Sequence, residues 1–188
     1  MRIGLRKHDD QKLKELILLI ASQSQEDATF GAVKLNKLLF YSDFLAHLSL
    51  GRSITGHDYF ALQQGPCPKR LVPIVDEMQR DGELAVYEMK FHGYTQRKTV
   101  ALREADLDKF RPEEVDLIYR VIKHYWGKTG KQMSDATHRF VGWVVANEKE
   151  VIPYSVALVG TREPTLDEIH RGMALEKMAV ECLASRDR

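Results

Sequence analysis

The sequence predicts a mainly α fold, a single helical domain with one β-hairpin inserted midway. Three observations point there. Apolar residues return at i, i+3, i+4, i+7 along much of the chain, the spacing of one face of a 3.6-residue helix. Helix start signals accompany these runs, among them the T-x-x-Q of Thr129 to Gln132 and the T-x-x-E of Thr165 to Glu168. One stretch, on either side of His92-Gly93, instead carries strand-favouring residues around a tight turn.

Asp9-Asp10 opens the first helix, and Leu13, Leu16, Ile17 and Ile20 form its apolar stripe. Ser22 to Thr29 is polar and reads as a loop. The second helix is expected from Ala32 to Leu50. Its apolar residues, Val33, Leu35, Leu38 to Tyr41, Phe44, Leu45 and Leu48, cover most of the circumference, so it should be central and packed on several sides. One line stays polar: Asn36, Asp43 and His47, at i, i+7 and i+11, stack along one side. Gly51 is placed to end the helix in a left-handed conformation.

Residues 52–68 read as a connection, with Tyr59 to Leu62 buried and Gln63-Gln64-Gly65-Pro66-Cys67-Pro68 turning the chain. A third helix ends at Gly82, with Leu71, Ile74, Val75 and Met78 inward. Pro73 sets its start near Val72, because an interior proline would lose a backbone bond. Residues 83–91 and 94–102 read as the hairpin, where Val86, Tyr87, Thr99 and Val100 favour strand. Lys90, Arg97, Lys98 and Arg103 make it basic. Pro112 opens the next helix, with Val115, Ile118, Tyr119 and Ile122 inward. Short helices follow at 131–139 and around Trp143 to Ala146. An irregular segment starts at Ile152, and a last helix covers about 165–186, with Leu166, Ile169, Met173, Val180 and Leu183 on its apolar face.

At 188 residues the chain has the size of one domain, 1–188, and can bury a core without staples. Hydrophobic residues at 44% against 29% charged exclude wholesale disorder. Basic residues number 28 and acidic ones 27, so a net charge of +1 gives no global attraction to nucleic acid or an anionic membrane. Cys67 and Cys182 fit no metal spacing and are expected as reduced thiols. The first ten residues are polar, and no apolar run approaches the ~18 residues of a membrane span. The expected location is the cytoplasm.

The search for chemistry returns little. No histidine pair has ligand spacing, and Asp135 with His138 cannot close a metal site alone, so neither metal nor cofactor is expected. Ser134 and His138, four apart, can meet on one helical face. They lack the strained glycine elbow and a third member, so a structural hydrogen bond is the expected reading and no enzyme is implied. Cys67 lies between prolines with no group to lower its pKa. Gly127 to Lys131 lacks a full phosphate loop. A helix followed by a basic hairpin suggests a winged helix, but Lys69 and Arg70 are followed by Asp76, Glu77 and Asp81, a poor face for a groove reader. Nucleic acid is therefore not the favoured partner. The Asn36, Asp43, His47 line is either a solvated edge or a line used by a partner or an internal network.

Several blocks together carry a resemblance. Lys34-Leu35-Asn36-Lys37-Leu38-Leu39-Phe40-Tyr41 resembles the K-L-x-K-L-L-[YF]-[YF] helix that opens the Panacea domain of SocA-like antitoxins. Gln64-Gly65-Pro66 is similar to that family's x-G-P turn, Met133 to His138 to its L-S-x-x-T-H element, and Trp143 to its nearby tryptophan. The resemblance covers about residues 10–160. Asn36 stands where glutamine is common, and Cys67 where an aliphatic residue often follows Gly-Pro. The resemblance implies an antitoxin with no catalytic residue, whose partner is a cognate toxin encoded nearby. The toxin would be neutralised by direct contact or, as in one branch, delivered to a protease. It marks Lys34, Asn36, Lys37, Tyr41, Asp43, His47, Gln64, Gly65, Pro66, Ser134, His138 and Trp143 as motif or partner-binding residues.

Overall fold

The computed structural model describes residues 8–91 and 93–159, with isolated positions 167, 170, 171, 173, 174 and 178. Of the helix expected over 165–186, only those isolated positions are described, and each is helical. The rest of it, with the Thr165 to Glu168 capping box and Cys182, lies outside the described residues.

Helix α1 (Asp10–Gln23) starts where the Asp9 carboxylate accepts the Lys12 N–H at 2.9 Å. Leu13, Leu16, Ile17 and Ile20 are fully buried, as expected, but so are Leu18, Leu19 and Ala21. The helix is wrapped on all sides rather than lying on a surface. Helix α2 (Ala32–Leu50) runs beside it and touches most other elements. Gly51 ends it at φ 72°, the left-handed conformation that glycine adopts without a Cβ clash. Helix α3 (Leu71–Arg80) carries Pro73 within its first turn, where no helical N–H is needed.

Strands β1 (Tyr59–Leu62) and β2 (Gly65–Pro68) occupy most of the second half of the stretch read as a connection, a correction to the sequence reading. They pair antiparallel, and β5 (Val151–Ile152) joins the other side of β1. Prolines at 66 and 68 argue against a strand. They are accommodated because β2 is the outer strand of the order β2-β1-β5, where a missing donor breaks no interior ladder. The fold is thus mainly helical with two small sheets, not one hairpin.

The expected hairpin is present as β3 (Leu84–Phe91) and β4 (Tyr94–Ala101), paired in register from Leu84–Ala101 to Phe91–Tyr94. Its base is anchored on α1. Glu15 is buried and accepts from both Arg103 Nη atoms at 2.8 and 2.9 Å. Burial pushes the Glu15 carboxyl up, but Arg103 and the Asp106 N–H outweigh it and hold the group below the usual range.

Helix α4 (Pro112–Tyr125) faces the core with Leu117, Ile118, Val121 and Ile122. Tyr119, expected inward, is 39% exposed. The wider aliphatic face set by Leu117 and Val121 fixes the helix rotation, and the tyrosine hydroxyl stays near water. Helices α5 (Gly130–Thr137) and α6 (Val141–Val145) follow, then a 3-10 turn over Tyr154–Leu158. The Thr129–Gln132 capping box is formed. The larger core lies among α1 to α4. A smaller aromatic core of Phe40, Phe44, Tyr59, Ile152 and Tyr154 joins the far side of α2 to the β1–β5 sheet. Among the described residues no helix is long and apolar enough to cross a membrane.

Candidate functional site

The motif residues on α2 reach three separate polar structures. Lys34 is 1% exposed, and its ammonium donates to Asp27 Oδ2, Thr29 Oγ1 and the carbonyls of Tyr125 and Lys128, all within 2.9 Å. This knot ties the α1–α2 loop, α2 and the end of α4. Burial pushes the Asp27 carboxyl up, yet Lys34, Thr29 and the Gly127 N–H together hold it below its ordinary range.

Lys37, one turn further, has no carboxylate partner among the described residues. Its Nζ donates to the Pro66 carbonyl at 3.3 Å, and burial lowers its pKa to about 8. Burial pushes the neighbouring Cys67 thiol up to about 11. This agrees with the unreactive thiol that the sequence suggests.

Asp43, the middle of the polar line, is wholly buried. It accepts from the Thr55 N–H at 2.7 Å, the Thr55 hydroxyl at 2.6 Å and the Tyr59 hydroxyl at 2.8 Å. Burial raises its pKa against the pull of these donors. The other two residues of the line have their own surroundings. His47 is half-buried with its ring centroid 5.6 Å from that of Tyr154, and Asn36 Oδ1 is buried without a hydrogen-bond partner among the described residues. The three residues share a helix line, and Asp43 is its wholly buried member. Tyr41, half-buried, stacks on Tyr125 with centroids 4.5 Å apart.

The remaining motif residues converge on the β1–β2 turn. Ser134 donates its hydroxyl to the Gln64 carbonyl at 2.8 Å, Trp143 Nε1 donates to the Leu62 carbonyl at 2.9 Å, and Lys37 holds Pro66. Gly65 sits between them at φ 93°. A Cβ there would strike Thr137 Oγ1 and lie 2.7 Å from Lys37 Nζ, so both space and backbone demand glycine. Thr137 donates to the Ser134 carbonyl at 2.8 Å. His138 stacks on Trp143 with centroids 4.0 Å apart. Three helices, α2, α5 and α6, thus clamp one turn.

His138 Nε2 also lies 3.4 Å from the Ser134 hydroxyl. The hydroxyl proton already goes to Gln64, so in this geometry the ring can only donate to that oxygen, not abstract from it. Among the described residues no group of three or more His, Cys, Asp or Glu is placed to hold a metal.

Beside the clamp lies a cleft of about 680 Å³. The first turn of α2, the start of α5, Gln64 and the Thr95–Arg97 stretch of β4 enclose it. Gln64 is the one exposed member of the twelve motif residues, and it stands at this cleft with Lys34 and Ser134 beneath.

The chain belongs to the SocA-like antitoxin family: the family model for the antitoxin SocA-like, Panacea domain matches residues 35–144. The match spans the whole clamp from Lys37 to Trp143 and starts one residue after Lys34. No curated protein and no solved structure matches the chain.

Sequence reasoning missed Thr137, although it stands inside the quoted element, and missed Asp27, Thr55 and His57. Asp27 left a signal: the pattern Asp-x-Thr is that of a local turn, and Thr29 indeed donates its N–H and hydroxyl to Asp27. Thr55 and His57 left none, because a hydroxyl and an imidazole in a loop carry no spacing.

Proposed function

We propose that the chain is the antitoxin of a toxin–antitoxin pair and neutralises a cognate toxin by direct protein–protein contact in the cytoplasm. The observation that carries this reading is the clamp. The motif residues that look most chemical, Ser134, His138, Lys37 and Asp43, are engaged in holding backbone and neighbouring side chains. A site arranged this way presents a surface of fixed shape and has no nucleophile free to react. The protein is accordingly read as a binder and not an enzyme. Occlusion of the toxin needs a contact of about 800 Å² per partner, which a domain of this size offers easily.

The hairpin supports protein binding over a DNA wing. Of its four cations, Arg103 is bound to Glu15 and Glu83, and Lys98 donates to the Gln25 carbonyl. Two cations are left for phosphate, too few for strong electrostatic binding.

The test is co-expression with the product of the neighbouring open reading frame. Growth arrest by that product alone, relieved by this chain with co-purification of the pair, is the expected result. No relief and no complex would remove the reading. Delivery to a protease predicts instead that relief disappears in a protease-deficient host. Ser134→Ala and His138→Ala, in variants that remain folded, are expected to keep neutralising, and loss of activity there would favour an enzyme.

A further inference from the structure

We propose that the cleft beside the clamp is a docking groove for an extended, acidic segment of the partner protein, which adds as a third strand to the open edge of β4. The proposal rests on the antitoxin reading and names where and how the partner is held.

The edge comes first. The Leu102 N–H bonds the Glu83 carbonyl at 2.9 Å, which marks that pair as hydrogen-bonded. Bonded and non-bonded pairs alternate along an antiparallel ladder, so Gln96 and Lys98 bond inward to β3. Thr95 and Arg97 therefore turn their N–H and C=O groups away from β3. Among the described residues no strand pairs with that side of β4. These same residues line the cleft. An unpaired edge beside a groove is the arrangement that accepts a peptide by strand addition.

Charge comes second. The floor holds Ala32, Val33 and Gly130, close enough that a Cβ on Gly130 would meet Val33 at 3.1 Å. The starts of α2 and α5 thus lie side by side. Neither helix has an acidic residue in its first turn, and the α2 N-cap, Gly31, supplies no side-chain bond. Backbone N–H groups at a helix start carry partial positive charge. The exposed Arg97 and Lys131 stand on the lining, opposed by Asp135 alone. An apolar floor, a positive wall and an open strand edge together fit an extended segment with acidic side chains. A bare anion would leave the floor and edge unused.

The experiment uses the full chain and the product of the neighbouring open reading frame, with calorimetric Kd and a thermal melt for each variant. Ala32→Asp puts a carboxylate on an exposed position at the start of α2. It should leave the melt unchanged or raised, because the carboxylate complements the helix, and should weaken binding about tenfold by repelling the partner's acids. Thr95→Pro removes an outward N–H without touching the β3 ladder, and should weaken binding by a similar factor of about ten. Arg97→Glu with Lys131→Glu should do more. Lys123→Glu, on an exposed α4 position outside the cleft, should bind as wild type. Wild-type neutralisation together with unchanged Kd in the three folded cleft variants would overturn the groove and leave the antitoxin reading standing. Failure of the wild type itself to bind would overturn both.

Discussion

Gly65 shows how one residue can be required twice. Its φ of 93° strains any residue with a Cβ, and the space a Cβ would need is held by Thr137 and Lys37. Gly65→Ala is expected to cost about 3 kcal/mol, of which about 1–2 is backbone strain and the rest crowding. A urea unfolding series would measure it, and a loss within experimental error would contradict the clamp. His57 carries a pH effect. It is fully buried, and among the described residues neither ring nitrogen has a hydrogen bond of good geometry, although the Asp9 backbone and Asp10 lie close, Nε2 being 3.2 Å from Asp10 Oδ1. Burial lowers its pKa below the ordinary 6.5, against the attraction of Asp10 and Asp43 and with the repulsion of His8. The unfolded chain therefore binds the proton more readily than the folded one. The stability from neutral His57 is complete above pH 6.5 and falls as the pH drops through and below that value. Wild type should lose stability between neutral pH and pH 5 more steeply than His57→Gln, and parallel curves would refute the assignment. None of this was legible in the sequence, where His57 is one histidine of seven in a loop.

At the scale of elements, α2 was the most legible part of the chain. Its bounds, its packing on several sides and its glycine stop followed from apolar spacing and one residue type, although Leu45 and Leu48, read as part of the apolar surface, are exposed. What spacing could not tell was which polar groups lie inside. Lys34 and Lys37 look like exposed cations in a helix, and both are buried. The reason is reach: a lysine stem can lie along apolar neighbours while its ammonium finds backbone carbonyls from distant segments. Lys34→Met should therefore loosen elements it does not belong to. It leaves Asp27 buried without its cation, a loss of about 3–5 kcal/mol, and adding Asp27→Leu should restore part of it. Amide exchange at residues 126–128 should rise in the single variant. Protection as in wild type would show that the knot is not what holds the end of α4. In α4 apolar spacing predicts the right helix and a partly wrong face, because Tyr119 suits the inner stripe by spacing and Leu117 and Val121 fill it better.

Across the whole molecule, the helical class and the inserted hairpin were readable from local pattern. The β2-β1-β5 sheet was not. Its strands have at most four residues, two of them prolines in β2, and β5 supplies only Val151 and Ile152. The β1–β2 pair is local but masked by its prolines, and β5 joins from about ninety residues away, beyond any window of sequence. The site behaved the same way: the blocks of the motif could be recognised singly, while the turn they jointly grip became visible only in three dimensions.

That grip has a consequence in time. Leu62 and Trp143 are 81 residues apart, Gln64 and Ser134 are 70 apart, and Tyr154 reaches back 97 residues to bond the His57 carbonyl. Closing such long loops is slow, since their entropy is lost before any bond repays it. During synthesis the β1–β2 turn leaves the ribosome well before the residues that lock it. For that interval α1 to α3 can collapse together and Lys37 can grip Pro66, but the Leu62 and Gln64 carbonyls still lack Trp143 and Ser134. The newborn chain acquires its finished surface only when Trp143 and Tyr154 have emerged.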